Sequence, residues 1–128
     1  TTRFAAACSQ RSISNWVSKC MTTDIGYYFN MDQIKADPWN SPEKMWQHSP
    51  LKYANMAKTP TLFIQSDEDY RCWMGDAIQM FSALKYFGVE ARMCLFHGEN
   101  HELSRSGKPK HRIRRMTEMM EWFEKYLK

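Results

Sequence analysis

The order of elements between residues 61 and 96 restricts this chain more than any other feature. A short apolar run, Thr61 to Gln65, is followed by Ile78, Met80, Phe81, Leu84 and Phe87 at helical spacing, then by Gly88, then by a second run from Val89 to Phe96. A strand, helix, strand sequence with short links implies two parallel strands joined by a right-handed crossover. Gly88 sits where a helix C-cap needs left-handed backbone, which glycine adopts at little cost. In the later run Ala91, Met93 and Leu95 alternate with Glu90 and Arg92, a period of two that predicts one wetter face and a place at or near a sheet edge.

The flanking segments extend the pattern. Phe4 to Ser9 reads as one more strand. Pro109 suits a first helical position, and Ile113, Met116, Met120, Phe123 and Leu127 recur at three- and four-residue steps, predicting a long amphipathic helix with this methionine-rich stripe as core filler. Residues 10 to 58 scatter Trp16, Tyr27, Tyr28, Phe29, Trp39 and Trp46 among turn signals. Short helices and loops over the end of the sheet are expected there, with Ser41-Pro42-Glu43 starting one helix and Ser49-Pro50 stopping it. The fold class is α/β: about three parallel strands in chain order, crossover helices on the faces and an irregular aromatic insertion. Residues 1–128 form one domain, a length at which one core can bury roughly two-thirds of the unfolded surface.

Composition excludes several classes. Apolar residues are 43% and charged residues 25% of the chain, which argues against disorder and fibrous repeats. No apolar stretch approaches the roughly 18 residues that cross a bilayer, so no membrane partner is expected. Cys8, Cys20, Cys72 and Cys94 lie far apart with no Cys-x-x-Cys pair, the usage of reduced thiols in a cytoplasm. The net charge of +4 is concentrated in Arg105, Lys108, Lys110, Arg112, Arg114 and Arg115. That run opens a helix with an apolar opposite face, and Arg114 with Glu118, like Glu121 with Lys125, is spaced for i,i+4 pairing. A solvated helix face is the expectation, with no nucleic-acid partner.

The residues that could carry chemistry lie past the carboxyl ends of two strands, where function gathers in open parallel sheets. Asp67, Glu68 and Asp69 follow the strand at Thr61, and His101 follows the strand at Val89. Their separation accommodates one helix and one strand, so adjacent strands would set the two loops side by side. An Asp that accepts a hydrogen bond from one imidazole nitrogen fixes the ring's tautomer, leaving the other nitrogen as a base toward a nucleophile. Two other chemistries were weighed. His97 and His101 with Glu99 and Glu102 suggest zinc, but Gly98 and Asn100 disfavour the helix that would put such ligands on one face. Cys72 adjoins the acidic loop, where carboxylates would raise its pKa and make it a poor nucleophile.

Three blocks carry a resemblance: Gln10-Arg11-Ser12-Ile13-Ser14-Asn15-Trp16, Asp69-Tyr70-Arg71-Cys72, and Gly98 through Pro109. They resemble the α/β-hydrolase serine peptidases of the acylaminoacyl-peptidase and prolyl-oligopeptidase group, essentially end to end. The resemblance implies a partial α/β-hydrolase fold, Asp69 and His101 as the catalytic acid and histidine, and Asp67 as a structural acid capping its turn. It also implies peptide or acyl-peptide bonds as substrates and no metal or organic cofactor. Two departures stand out. Trp73 occupies a position where the group usually has proline, and no serine here has the Gly-x-Ser-x-Gly elbow of the nucleophile. The nucleophile and one oxyanion donor are therefore expected upstream of Thr1, in a missing N-terminal part with which this chain would pair. The chain opens without Met or a signal-peptide pattern, so Thr1 is not expected to be a native N-terminus. Alone, the chain is expected to be inactive and to form a homo-oligomer through the open edge of its first strand or through the aromatic 10 to 58 region. The alternative of a different class is a non-catalytic interaction domain on the same scaffold.

Overall fold

The computed structural model describes residues 2–127. Three parallel strands, β1 (Ala7–Gln10), β2 (Thr61–Ser66) and β3 (Ala91–Phe96), lie in the order β1-β2-β3, with Ala7 opposite Thr61 and Thr61 opposite Ala91. The first strand starts three residues later than predicted. The pairing opens with Ala7 N–H donating to the Pro60 carbonyl at 2.9 Å, and Pro60 has no N–H with which to continue the ladder backward. Phe4 is consequently left exposed.

β2 is covered on both faces. Consecutive side chains of a strand point to opposite faces, so Leu62 and Ile64 join Phe96, Leu103 and Trp122 in one core while Phe63 joins Ala77, Leu84 and Val89 in another. The second core lies under α4 (Met74–Tyr86), the helix that crosses from β2 to β3. Gly88 follows it at φ 74°, the left-handed position predicted for it, and Val89 N–H returns to the Leu84 carbonyl at 2.9 Å. The first core lies under α6 (Pro109–Tyr126), with Leu103 supplied by the short α5 (Leu103–Ser106) before it.

Two expectations about these faces are corrected. β3 does not have one dry and one wet face: Ala91 and Met93 pack toward α4, Cys94 and Phe96 toward α6, and Leu95 is exposed. Arg92 points toward α6, where its guanidinium lies 2.6 Å from the buried Glu118. Helices on both faces leave the strand no single wet face, and its half-exposed Arg92 is held by an ion pair. Of the stripe predicted to face the core along α6, only Phe123 packs there; Ile113, Met116, Met120 and Leu127 are exposed. Trp122, Met119 and Tyr126 take the sheet side instead. The helix has two apolar stripes, and the one bearing the tryptophan and the partner of Arg92 is buried. Arg114 does reach Glu118, Nε to Oε1 at 2.7 Å, but Lys125 pairs with Glu90 at the start of β3 rather than with Glu121.

The aromatic insertion is more ordered than predicted. It forms α1 (Trp16–Thr22), α2 (Tyr28–Ile34), α3 (Pro42–His48) and a 3-10 helix, Pro50–Met56. Cys20, Ala36 and Met45 make a small core of their own, with Trp16 and Ile34 against it. Asn15 caps α1 by accepting from Val17 N–H at 3.0 Å. Pro42 opens α3, and Ser49-Pro50 ends it as expected, with Pro50 also starting the 3-10 helix. Ser14 and Ser18 fasten α1 to Asp76 in the first turn of α4, which holds the insertion beside the carboxyl ends of the strands.

Candidate active site

Adjacent parallel strands place the loop after β2 (residues 67–73) beside the loop after β3 (97–102), and the two carry the predicted Asp and His together. Asp69 is 1% exposed, and every part of its carboxylate is engaged. Oδ1 accepts from the backbone N–H groups of Arg71 at 3.0 Å and Cys72 at 2.8 Å, the local turn that Asp side chains favour. Oδ2 accepts from Gln65 Nε2 at 3.2 Å and lies 3.0 Å from Nδ1 of His101. Gln65 is the inward-facing residue near the end of β2, and it also donates to the Cys72 carbonyl at 2.7 Å. The carboxylate is thus locked from three directions before His101 meets it. His101 keeps about a quarter of its side chain exposed, and its second nitrogen is left for other chemistry.

Asp67 makes a different pair. Its Oδ1 accepts from Gly98 N–H at 2.8 Å, and its Oδ2 bonds Nδ1 of the fully exposed His97. It caps the turn of the neighbouring loop at Gly98, a structural part of the kind expected of it. The His97 bond, aided by Gly98, holds its carboxyl below the usual carboxylate range against a smaller opposing effect of burial. Gly98 is at φ 66°, and a side chain there would also press on Lys108, so the turn leading to His101 suits glycine. His97 and His101 therefore face different carboxylates. Among the described residues no three His, Cys, Asp or Glu side chains gather as a metal-binding group.

Further residues act on this site that sequence reasoning assigned no such part. Glu99, almost fully buried, accepts from Lys108 N–H at 3.0 Å and bonds His111 Nδ1 at 2.6 Å; its own carbonyl accepts from Glu68 N–H at 3.0 Å. It pins the His101 loop both to the start of α6 and to the Asp69 loop. Burial pushes its carboxyl up, but the Lys108 and His111 bonds outweigh that and leave its pKa below the ordinary glutamate value. Lys19 is wholly buried and donates to the Arg71 carbonyl and to Thr23 Oγ1, holding α1 against the Asp69 loop. Burial lowers its pKa. Arg71 itself reaches Asp24, Nε to Oδ1 at 2.6 Å. Arg11, just past β1, donates to the His101 carbonyl at 3.0 Å. The signals available for Arg11 and Glu99 were position, since both lie at carboxyl ends of strands, and their place inside the blocks that carry the family resemblance. Lys19 had no signal, because a lysine is seldom fully buried.

A cleft of about 350 Å³ opens beside the pair, with Ile13, Ile25, Phe29 and Cys72 supplying its apolar wall and Arg11, Lys19, Arg71 and His101 its polar one. Cys72 is buried, and burial first, opposed by Lys19, pushes its thiol up to about 11. It is the inert thiol expected, although desolvation rather than neighbouring carboxylates is the main cause. The basic run is partly consumed internally: Arg105 bonds Glu102, Arg114 bonds Glu118, and Arg115 donates to Gln10 at 2.7 Å. Among the described residues no helix is long and apolar enough to cross a membrane.

Comparison with known proteins places this geometry in context. Residues 1–128 match the model of the prolyl oligopeptidase family. An uncharacterized peptidase of Bacillus subtilis, YuxL, is 44% identical over 127 residues, which is 99% of this chain and 19% of the relative. The dipeptidyl-peptidase 5 of Schizosaccharomyces pombe is 31% identical over 101 residues, 79% of this chain and 14% of that protein. Among solved structures, uncomplexed acylaminoacyl peptidase from Pyrococcus horikoshii superposes with a TM-score of 0.94 at 36% identity, covering all of this chain and 21% of that one. The chain thus spans about a fifth or less of the length of these relatives.

Proposed function

The chain belongs to the prolyl oligopeptidase family, and from that premise we propose that it is the Asp- and His-bearing part of a serine peptidase that cleaves peptide or acyl-peptide bonds. The observation that carries the reading is the buried, fully engaged Asp69 carboxylate 3.0 Å from Nδ1 of His101. With Nδ1–H bonded to Asp69, the other ring nitrogen is an acceptor able to take the proton of a serine hydroxyl. The serine, supplied from outside residues 1–128, attacks the scissile carbonyl carbon. Protonated His101 then gives that proton to the departing amine, and an acyl-enzyme is left. Water repeats the cycle: His101 takes its proton, the ester bond breaks, and the serine is re-protonated. Asp69 stays ionised throughout, holding the ring's orientation and stabilising its cation. Neither half-reaction needs a cofactor.

The apolar wall of the cleft favours an uncharged side chain next to the scissile bond. The names of relatives, a dipeptidyl-peptidase and an acylaminoacyl peptidase, accord with peptide or acyl-peptide substrates. The four cysteines, none bridged to another, suit a reducing cytoplasm. The test is labelling with a fluorophosphonate, which reacts with an activated serine. The 128-residue chain should not be labelled, and the longer enzyme should be labelled on one serine outside it. Stoichiometric labelling of a serine within residues 1–128 would overturn the assignment.

A further inference from the structure

We propose that Arg11 is a positioning residue for His101, holding the histidine's main chain from the end of β1 so that the ring stays on Asp69; the inference rests on the reading of that pair given above. Arg11 has left-handed backbone, φ 53°, a region that crowds the Cβ of any residue but glycine. Its own N–H donates to the Ile64 carbonyl at 3.2 Å, continuing the β1–β2 ladder by one step and fixing the strained turn to the central strand. From that mount the side chain reaches past the end of β2 and donates to the carbonyl of His101, ninety residues away in sequence, at 3.0 Å.

The other ties of this loop lie to either side of the histidine. Asp67 holds Gly98, Glu99 is held by Lys108 and His111, and Leu103 N–H bonds the Asn100 carbonyl at 3.2 Å. Glu102 N–H also bonds Asn100 Oδ1 at 2.8 Å, so those two bonds fold the loop on itself around His101, whereas the Arg11 bond ties the His101 carbonyl to the end of another strand. Gln10, the preceding residue, accepts from Arg115 of α6, so the last residue of β1 holds the helix after the loop while the next residue holds the loop itself. A charged donor on a carbonyl makes a stronger bond than a neutral one, and the planar guanidinium limits the directions in which the loop can shift. Arg11 also lines the cleft, which leaves open a direct contact with substrate. The two roles separate kinetically.

The experiment is Arg11→Met in the full-length enzyme, with kcat and KM measured on a chromogenic peptide substrate beside the rate of fluorophosphonate labelling. Misplacing a reacting group by about 1 Å costs on the order of 100-fold, so kcat and the labelling rate should fall together by roughly 10- to 100-fold while KM changes less than about threefold. Arg11→Lys, which keeps a charged donor, should restore most of the loss. If the Met variant fails to fold, Arg11→Gln takes its place with the same expectations. A kcat at the wild-type level overturns the proposal, as does a raised KM with kcat kept, which would put Arg11 on the substrate. His101→Ala separates the two levels of inference. Activity that survives it overturns the Asp69–His101 reading, whereas an inactive His101→Ala enzyme beside an unaltered Arg11→Met enzyme overturns only the positioning role.

Discussion

Oδ2 of Asp69 lies 3.0 Å from Nδ1 of His101, on a carboxylate that Gln65 and the backbone of Arg71 and Cys72 already hold in place. The pair is preorganised because its acid is immobile: the strand before it and the turn after it both donate to the same group. Asp69→Asn in the full-length enzyme should keep the fold and lower kcat by about 10⁴-fold, because an amide favours the wrong tautomer of His101. His101→Ala should cost as much or more. Steady-state kinetics with a chromogenic peptide checks both, and losses under tenfold would contradict the reading.

Glu99 should matter through pH. Its pKa is lowered on folding, so its contribution to stability is complete above the unfolded value and is lost as pH falls through the folded one. Melting curves from neutral pH down to about 3 should show Glu99→Gln less stable than wild type at neutral pH, with the gap closing in acid. Glu99→Ala, which strips the Lys108 N–H and His111 of their acceptor, should cost about 1–3 kcal/mol. A gap independent of pH would mean that the carboxylate's charge contributes nothing.

Cys72 should be inert in the folded chain. With its thiol pushed up to about 11 by burial, almost no thiolate exists at neutral pH, and the sulfur is shielded as well. Iodoacetamide at pH 7.5 should modify it only after denaturation, as read by peptide mass spectrometry. Rapid native alkylation at this position would show that the Asp69 loop opens.

β1 pairs on one side with β2 and, among the described residues, with nothing on the other. An apolar hollow of about 320 Å³, walled partly by Ile13, Phe63 and Met80, adjoins that strand. Unpaired strand edges beside apolar surface favour association with another chain. The isolated 128-residue chain should therefore self-associate, its mass by light scattering rising with concentration. Cys8→Pro, which removes an N–H that points away from β2 on the open edge, should change that dependence. A monomer at high micromolar concentration would contradict it.

The sequence by itself determined the parallel crossover from β2 through α4 to β3, since one helix between two apolar runs with Gly88 at its end has one handed solution. It also placed Asp69 and His101 at the ends of successive strands, and the family resemblance singled them out, but that the two strands are neighbours, so that the loops meet, is seen only in the folded sheet. Tertiary structure alone decided which stripe of α6 is buried. Ile113, Met116 and Met120 satisfy the helical period as well as Trp122 and Met119 do, and only the packed structure shows that Trp122 is the side chain that fills the core against Leu62, Ile64 and Phe96, with Glu118 on the same face paired to Arg92. It decided likewise that the aromatic insertion builds its own core around Met45, that Lys19 is buried beneath the Asp69 loop, and that Arg11 reaches the carbonyl of His101. Such contacts join residues far apart in the chain through the ends of long side chains. Local periodicity has no reach over those distances, and only the packed sheet brings the groups within hydrogen-bond range.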